Sequence, residues 1–162
     1  MSKAASRAVR IRRADPARDL PEVRTLFLEY ASSLDFPLDF QDFDAELAAL
    51  PGAYAEPLGT ILLAETEEGV VLGCVSLRPL EAGACEMKRM FVRPEARGRG
   101  AGRALGKAIM AEARARGYRS MRLDTLDTMV EAIALYAELG FRPIAAYRYN
   151  PMPNALFFEA EL

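Results

Sequence analysis

The sequence predicts an α/β domain of the α+β kind: one central, twisted, mixed but mostly antiparallel sheet of about six to seven strands, flanked by about four helices. Three observations predict it. Between residues 60 and 92 three β-rich runs follow one another with only short turns between them, a series of antiparallel strands. Residues 85–117 then read as strand, Gly/Arg-rich loop and long Ala/Leu/Arg helix; a further strand and helix follow, the alternation that sets two strands parallel. The chain has 162 residues, 51% of them hydrophobic and 27% charged, which suits a single domain over 1–162 with residues 1–7 flexible. A chain of this size buries roughly 70% of its unfolded surface, enough for one sheet-centred core.

The elements follow in order. Residues 8–14 (AVRIRRA) alternate apolar and basic side chains ahead of Asp15-Pro16, the pattern of an edge strand. Asp19 is placed to cap a helix in which Val23, Leu26, Phe27 and Tyr30 recur at i, i+3, i+4 and i+7 and make one face apolar. Residues 32–40 form a loop and residues 42–50 a short helix stopped by Pro51-Gly52; Phe36, Phe40 and Phe43 either fill core or cover a substrate pocket. Residues 60–65 and 70–80 make a hairpin through Glu67-Glu68-Gly69, and residues 81–84 turn into a central strand over 85–92 that Pro94 stops. A helix over 103–116 ends at Gly117, and residues 120–124 make the next strand. Thr128-Met129-Val130-Glu131 reads as a capping box for a helix ending at Gly140. Residues 141–147 and 155–161 are the last two strands, joined by a loop through Tyr149-Asn150-Pro151.

The stretch between the central strand and the long helix carries the chemistry. Gly98, Gly100 and Gly102 alternate with Arg99 and Ala101, so the backbone N–H groups are free to converge on an anion at a helix start. Residues 88–122 hold eleven Lys and Arg against Glu95 and Glu112, a local net of +9 in a chain of net charge −2. That asymmetry points to one polyanionic ligand held locally. Two phosphate loops do not fit. A P-loop needs G-x-x-x-x-G-K-[ST], whereas Gly106-Lys107 is followed by Ala108 and has Ala101 at the first-glycine position. A dinucleotide fingerprint fits Gly98 and Gly100 but meets Arg103 at its sixth position, although Asp124 at a strand end could stand in for the ribose-binding acid.

Arg97-Gly98-Arg99-Gly100-Ala101-Gly102 satisfies R/Q-x-x-G-x-G/A, and here the chain resembles the GNAT superfamily of acyl-CoA-dependent N-acetyltransferases. Upstream, Glu86-Met87-Lys88-Arg89-Met90-Phe91-Val92-Arg93-Pro94 is similar to the family's central strand. Downstream, Leu135-Tyr136-Ala137-Glu138-Leu139-Gly140-Phe141 is similar to its second helix signature. The resemblance covers residues 72–162; earlier residues match only in the order of elements. It implies the GNAT fold, acetyl-CoA as cosubstrate, and direct transfer of an acetyl group to a primary amine of a small molecule or peptide.

The resemblance also implies roles. The backbone of Met90, Phe91 and Val92 would pair with pantetheine, and that of Arg97, Gly98, Arg99, Gly100, Ala101, Gly102 and Arg103 with the pyrophosphate. Arg97, Arg99 and Arg103 can add charge-assisted hydrogen bonds; Arg93 is expected to be structural. Tyr136 matches the general acid that protonates the departing CoA sulfur, although it shares an apolar stripe with Ala132, Leu135 and Leu139. Glu86 matches a position from which some members use a base; the competing reading pairs it with Arg89 or Arg122. A strand amide near Met90 would meet the oxyanion. Tyr147, Tyr149 and Asn150 either line the acceptor pocket or shape a turn.

Composition narrows the rest. The chain has no His, which removes the commonest metal ligand and the usual partner of a cysteine nucleophile, so no metal is expected. Cys74 and Cys85 fall inside strands as small hydrophobes rather than a disulfide framework. The basic N-terminus has no apolar h-region, and a cytoplasmic setting is expected. No membrane partner is expected, and no nucleic acid, since the aromatics of a single-strand groove are missing from residues 93–116. Acidic residues outside the basic segment favour a cationic acceptor, and the terminal strands offer edges for a homodimer. Two alternatives stay open: a non-catalytic acyl-CoA-binding sensor of the same fold, and a nucleic-acid-binding domain resting on the +9 segment alone.

Overall fold

A computed structural model describes residues 8–34, 37, 38 and 42–162. Residues 1–7 and the expected pocket aromatics Phe36 and Phe40 lie outside the described residues. The strands are β1 (Arg10–Arg13), β2 (Thr60–Glu65), β3 (Val71–Glu81), β4 (Ala84–Val92), β5 (Ser120–Leu126), β6 (Arg142–Ile144) and β7 (Ala155–Glu161). The helices are α1 (Leu20–Ser32), α2 (Phe43–Ala49), α3 (Ala101–Ala115) and α4 (Val130–Glu138). They build one seven-stranded sheet in the order β1-β2-β3-β4-β5-β7-β6. Only β4 and β5 run parallel, because α3 carries the chain back across the sheet between them.

The central strands are buried on both faces, and the period of two sorts their side chains. Ile61, Leu63 and Cys74 pack with Val23, Leu26 and Phe27 of α1 and Leu47 of α2. Leu62, Ala64, Val75 and Leu77 pack on the other face with Leu105, Ile109 and Ala113 of α3. The strands approach closely at Gly73, where a Cβ would stand 2.3 Å from the Phe91 carbonyl oxygen.

Two irregularities create the site. β4 pairs with β5 only at Ala84↔Ser120, Cys85↔Met121 and Glu86↔Arg122, and beyond that point the strands part. On its other edge β4 bulges against β3, with Arg89 in the left-handed region at φ 58°. The buried Arg89 guanidinium holds that conformation by a two-pronged pair with Glu46 of α2, at 2.9 and 3.1 Å.

Four local expectations are corrected. Asp19 does precede α1, but its carboxylate makes no cap; both oxygens accept from Arg12 at 2.7 and 3.0 Å instead. The capping box is not formed, since Met129 rather than Thr128 is the N-cap and no side chain bonds there. β6 stops at Ile144, three residues early, because Tyr147 and Arg148 leave the sheet to reach Glu86. The last strand in sequence, β7, is no edge: it lies between β5 and β6, so β1 and β6 are the edges.

Candidate active site

The parting of β4 and β5 opens a cleft of about 640 Å³. Met90, Phe91 and Val92 line one wall, and Arg97, Gly98, Gly100, Ala101 and Gly102 line its end. Arg93 donates its amide to Leu72 O on β3, so by alternation the Val92 amide points the other way, into the gap. Gly98 and Gly100 have φ of 83° and 76°, a loop that side chains would strain. Arg97 N–H is used by Pro94 O and the first helical bond is Ala104 N–H to Gly100 O. The intervening amides, 98 to 103, are therefore left at the start of α3, where the helix dipole also favours an anion.

The charge asymmetry divides once the chain is folded. Arg89 pairs with Glu46, Arg93 with Glu22 and Glu29, Arg116 with Glu56 and Glu112, and Arg122 with Glu81 and Glu159. Arg103, expected at the pyrophosphate, turns to Glu138 of α4, and Arg99 does not line the cleft. Much of the basic segment is thus spent on the chain's own carboxylates. Of the three loop arginines only Arg97 lines the cleft.

Tyr136 marks where the cleft narrows. It lines both the main cleft and a smaller inner arm of about 70 Å³, together with Tyr30, Met90, Met129 and Ala132. Its ring also packs against Phe141 in the core, so the stripe position and the cleft position are the same place. Its hydroxyl makes no hydrogen bond among the described residues. Burial raises its pKa and keeps the phenol protonated.

Glu86 is fully buried and surrounded by donors. It accepts from Arg78 Nε at 2.8 Å, Arg148 Nη1 at 2.8 and 3.0 Å, and the Tyr147 hydroxyl at 2.6 Å. Its partners are these, while Arg89 and Arg122 bind the other carboxylates named above. Burial alone would raise its pKa, but Lys88, Arg78, Tyr147 and Arg148 outweigh burial and hold it below the usual carboxylate range. Lys88, in the inner arm, is pushed down to about 8 by burial, against the pull of Glu86 and Asp124. Asn150 lines the inner arm and bonds Asp124, Tyr147 serves Glu86, and Tyr149 is exposed. Phe43 is core, under the Arg89 guanidinium. Burial also pushes the thiols of Cys74 and Cys85 up to about 12, away from nucleophilic use. No group of three or more Cys, Asp or Glu among the described residues is arranged to hold a metal.

Sequence reasoning missed Arg78, Lys88 and Arg148 as parts of this floor. The available signal for Lys88 was that Glu86 and Lys88, two positions apart, point to one face of a central strand that also carries Arg89, and three charges are unusual there.

The sequence profile of the acetyltransferase (GNAT) family matches residues 20–141. An N-acetyltransferase of Schizosaccharomyces pombe is 42% identical over 146 residues, covering 90% of each chain. A solved structure from Klebsiella pneumoniae, described as an acyl-CoA N-acyltransferase, superposes with a TM-score of 0.72 at 28% identity, over 97% of this chain and 99% of that one. A phosphinothricin acetyltransferase of Sinorhizobium meliloti, solved in complex with acetyl-CoA, shares the fold with a TM-score of 0.71 at 21% identity, over 95% of this chain and 88% of that one. Strand gap, glycine loop, family profile and relatives agree: the chain belongs to the GNAT family of acetyltransferases.

Proposed function

We propose that this protein is an N-acetyltransferase that moves the acetyl group of acetyl-CoA directly to a primary amine of a small molecule or peptide. The observation that carries the reading is a cleft with a row of unused loop amides at one end and, at the other, Tyr136 shared with an adjoining polar inner arm. Acetyl-CoA supplies the activated acetyl group. In this reading the amides of residues 98–103 and Arg97 hold the pyrophosphate, and the edge of β4 from Met90 to Val92 holds the pantetheine. The amine forms its bond to the acetyl carbon as the carbon–sulfur bond breaks; Tyr136 gives the sulfur a proton and regains one from the nitrogen. An ammonium acceptor thus releases one proton overall.

Glu86 has a different part in this reading from that of a base. Both its oxygens are engaged, and a carboxylate held below its usual pKa is a poor proton acceptor. It acts as the fixed anion that orients Arg148 and Tyr147.

Isothermal titration with acetyl-CoA, followed by thiol release with a panel of amino acids, diamines and alkylamines, tests the reading. Micromolar binding and turnover of some amine are expected. Tight binding with no turnover on any amine would favour a coenzyme sensor; no binding would sink both.

A further inference from the structure

Among the described residues, the inner arm of the cleft presents a carboxylate oxygen that no protein donor bonds. Asp124 stands on β5 two residues past Arg122, the last position paired to β4, so it lies where the strands have parted. Its side chain is only 6% exposed. Oδ2 accepts a hydrogen bond from Asn150 Nδ2 at 3.1 Å. Oδ1 takes none among the described residues, and Lys88 Nζ stands 3.9 Å away, an ion pair beyond hydrogen-bonding reach. The oxygen that is open to the arm can take a donor that a ligand brings. Glu86 makes the contrast: it has donors on both oxygens and lines neither the cleft nor its inner arm.

The space fits a small group. At about 70 Å³ the arm holds a handful of water molecules, or the amine-bearing end of a small acceptor. Leu38, Met87, Leu123 and Met129 supply apolar lining beside the cations Lys88 and Arg89, and Tyr136 stands between it and the coenzyme arm.

The geometry points to Asp124 as the residue that binds the acceptor: its Oδ1 receives a hydrogen bond from the primary amine or ammonium of a small alkylamine or amino acid, while Asn150 holds the carboxylate in place. This rests on the N-acetyltransferase reading above. The alkyl part of the acceptor packs on the apolar lining, and the nitrogen is presented beside Tyr136.

The test titrates CoA-loaded protein with n-butylamine, 1,4-diaminobutane and the common amino acids, for wild type, Asp124→Asn and Asn150→Ala, alongside initial rates with acetyl-CoA. At least one amine should bind the wild type, and Asp124→Asn should weaken that amine at least tenfold while leaving CoA affinity unchanged. For any amine that is acetylated, KM should rise more than kcat falls, and Asn150→Ala should do the same to a smaller degree. If Asp124→Asn does not fold, Asn150→Ala decides. Amine affinity within twofold of wild type in the folded variants overturns the assignment, as does a wild type that binds CoA but none of these amines. Failure to bind CoA would overturn the underlying reading instead.

Discussion

The two arms of the cleft are built from different parts of the chain. The coenzyme arm presents backbone along one side, loop amides at the head of α3 and the free edge of β4 from residues between 90 and 103, and faces Tyr30 and residues 128–136 across the cleft. The inner arm is made of side chains from α1, β4, β5, α4 and the stretch around Asn150, brought together from residues 30 to 150. The loop of the first arm needs only the direction of N–H groups, which local geometry supplies. The second depends on a balance of buried charges, and each charge there is tolerable only because another faces it.

The largest expected effect lies at the junction. Tyr136→Phe should lower kcat by about 10²–10⁴-fold, while acetyl-CoA affinity and melting temperature stay as they were, since the ring keeps its packing on Phe141. Unchanged turnover would remove Tyr136 from the reaction and leave it to the core.

Breaking the charge balance should cost stability rather than one kinetic constant. Glu86→Gln strands Arg78 and Arg148, and denaturant melts should show a loss of about 3–5 kcal/mol. A loss near zero would mean that the cluster around Glu86 tolerates unbalanced charge as a surface does.

The coenzyme arm should respond to bulk and charge on its backbone. A Cβ at Gly100 would meet nothing within 4 Å, but its φ of 76° and an added carboxylate oppose the ligand. Gly100→Glu should weaken acetyl-CoA at least ~100-fold, about 2.7 kcal/mol, by calorimetry. Arg103→Ala should change that affinity little, and the exposed pair with Glu138 should be worth less than about 1 kcal/mol. A large effect at Arg103 would show that coenzyme draws it away from Glu138.

The last effect is a slope with pH. Lys88 has a folded pKa of about 8 against an ordinary 10.5. Between these values the unfolded chain binds more protons, so stability contributed by this group rises with pH, by at most ~1.4 kcal/mol per unit. Lys88→Met should flatten the curve from about pH 8 upward relative to wild type. Parallel curves would place the amine in a wetter setting than its burial implies.

The same division separates what could be read in advance from what could not. Val23, Leu26 and Phe27 declare the apolar face of α1 by spacing alone, and 97–102 declare a loop at a helix start by their glycines, because both patterns are local in the backbone. The +9 segment misled in part. Charge counted along a chain does not say which carboxylates will fold onto it, and Glu46, Glu29 and Glu159 come from elements far from it in sequence. Glu86 was visible as a candidate, but its saturation by Arg78, Tyr147 and Arg148 was not, since the last two lie 61 and 62 residues away and leave the sheet to reach it.

By itself the sequence determined the order of elements, the parallel crossover through α3 and the glycine loop at the head of α3, all set by periodicity, glycine and chain connectivity. Only the tertiary structure decided where β4 and β5 part, which carboxylate is saturated and which still wants a donor. Those properties depend on distances between strands and on the dielectric around each charge, and neither exists until the sheet has formed.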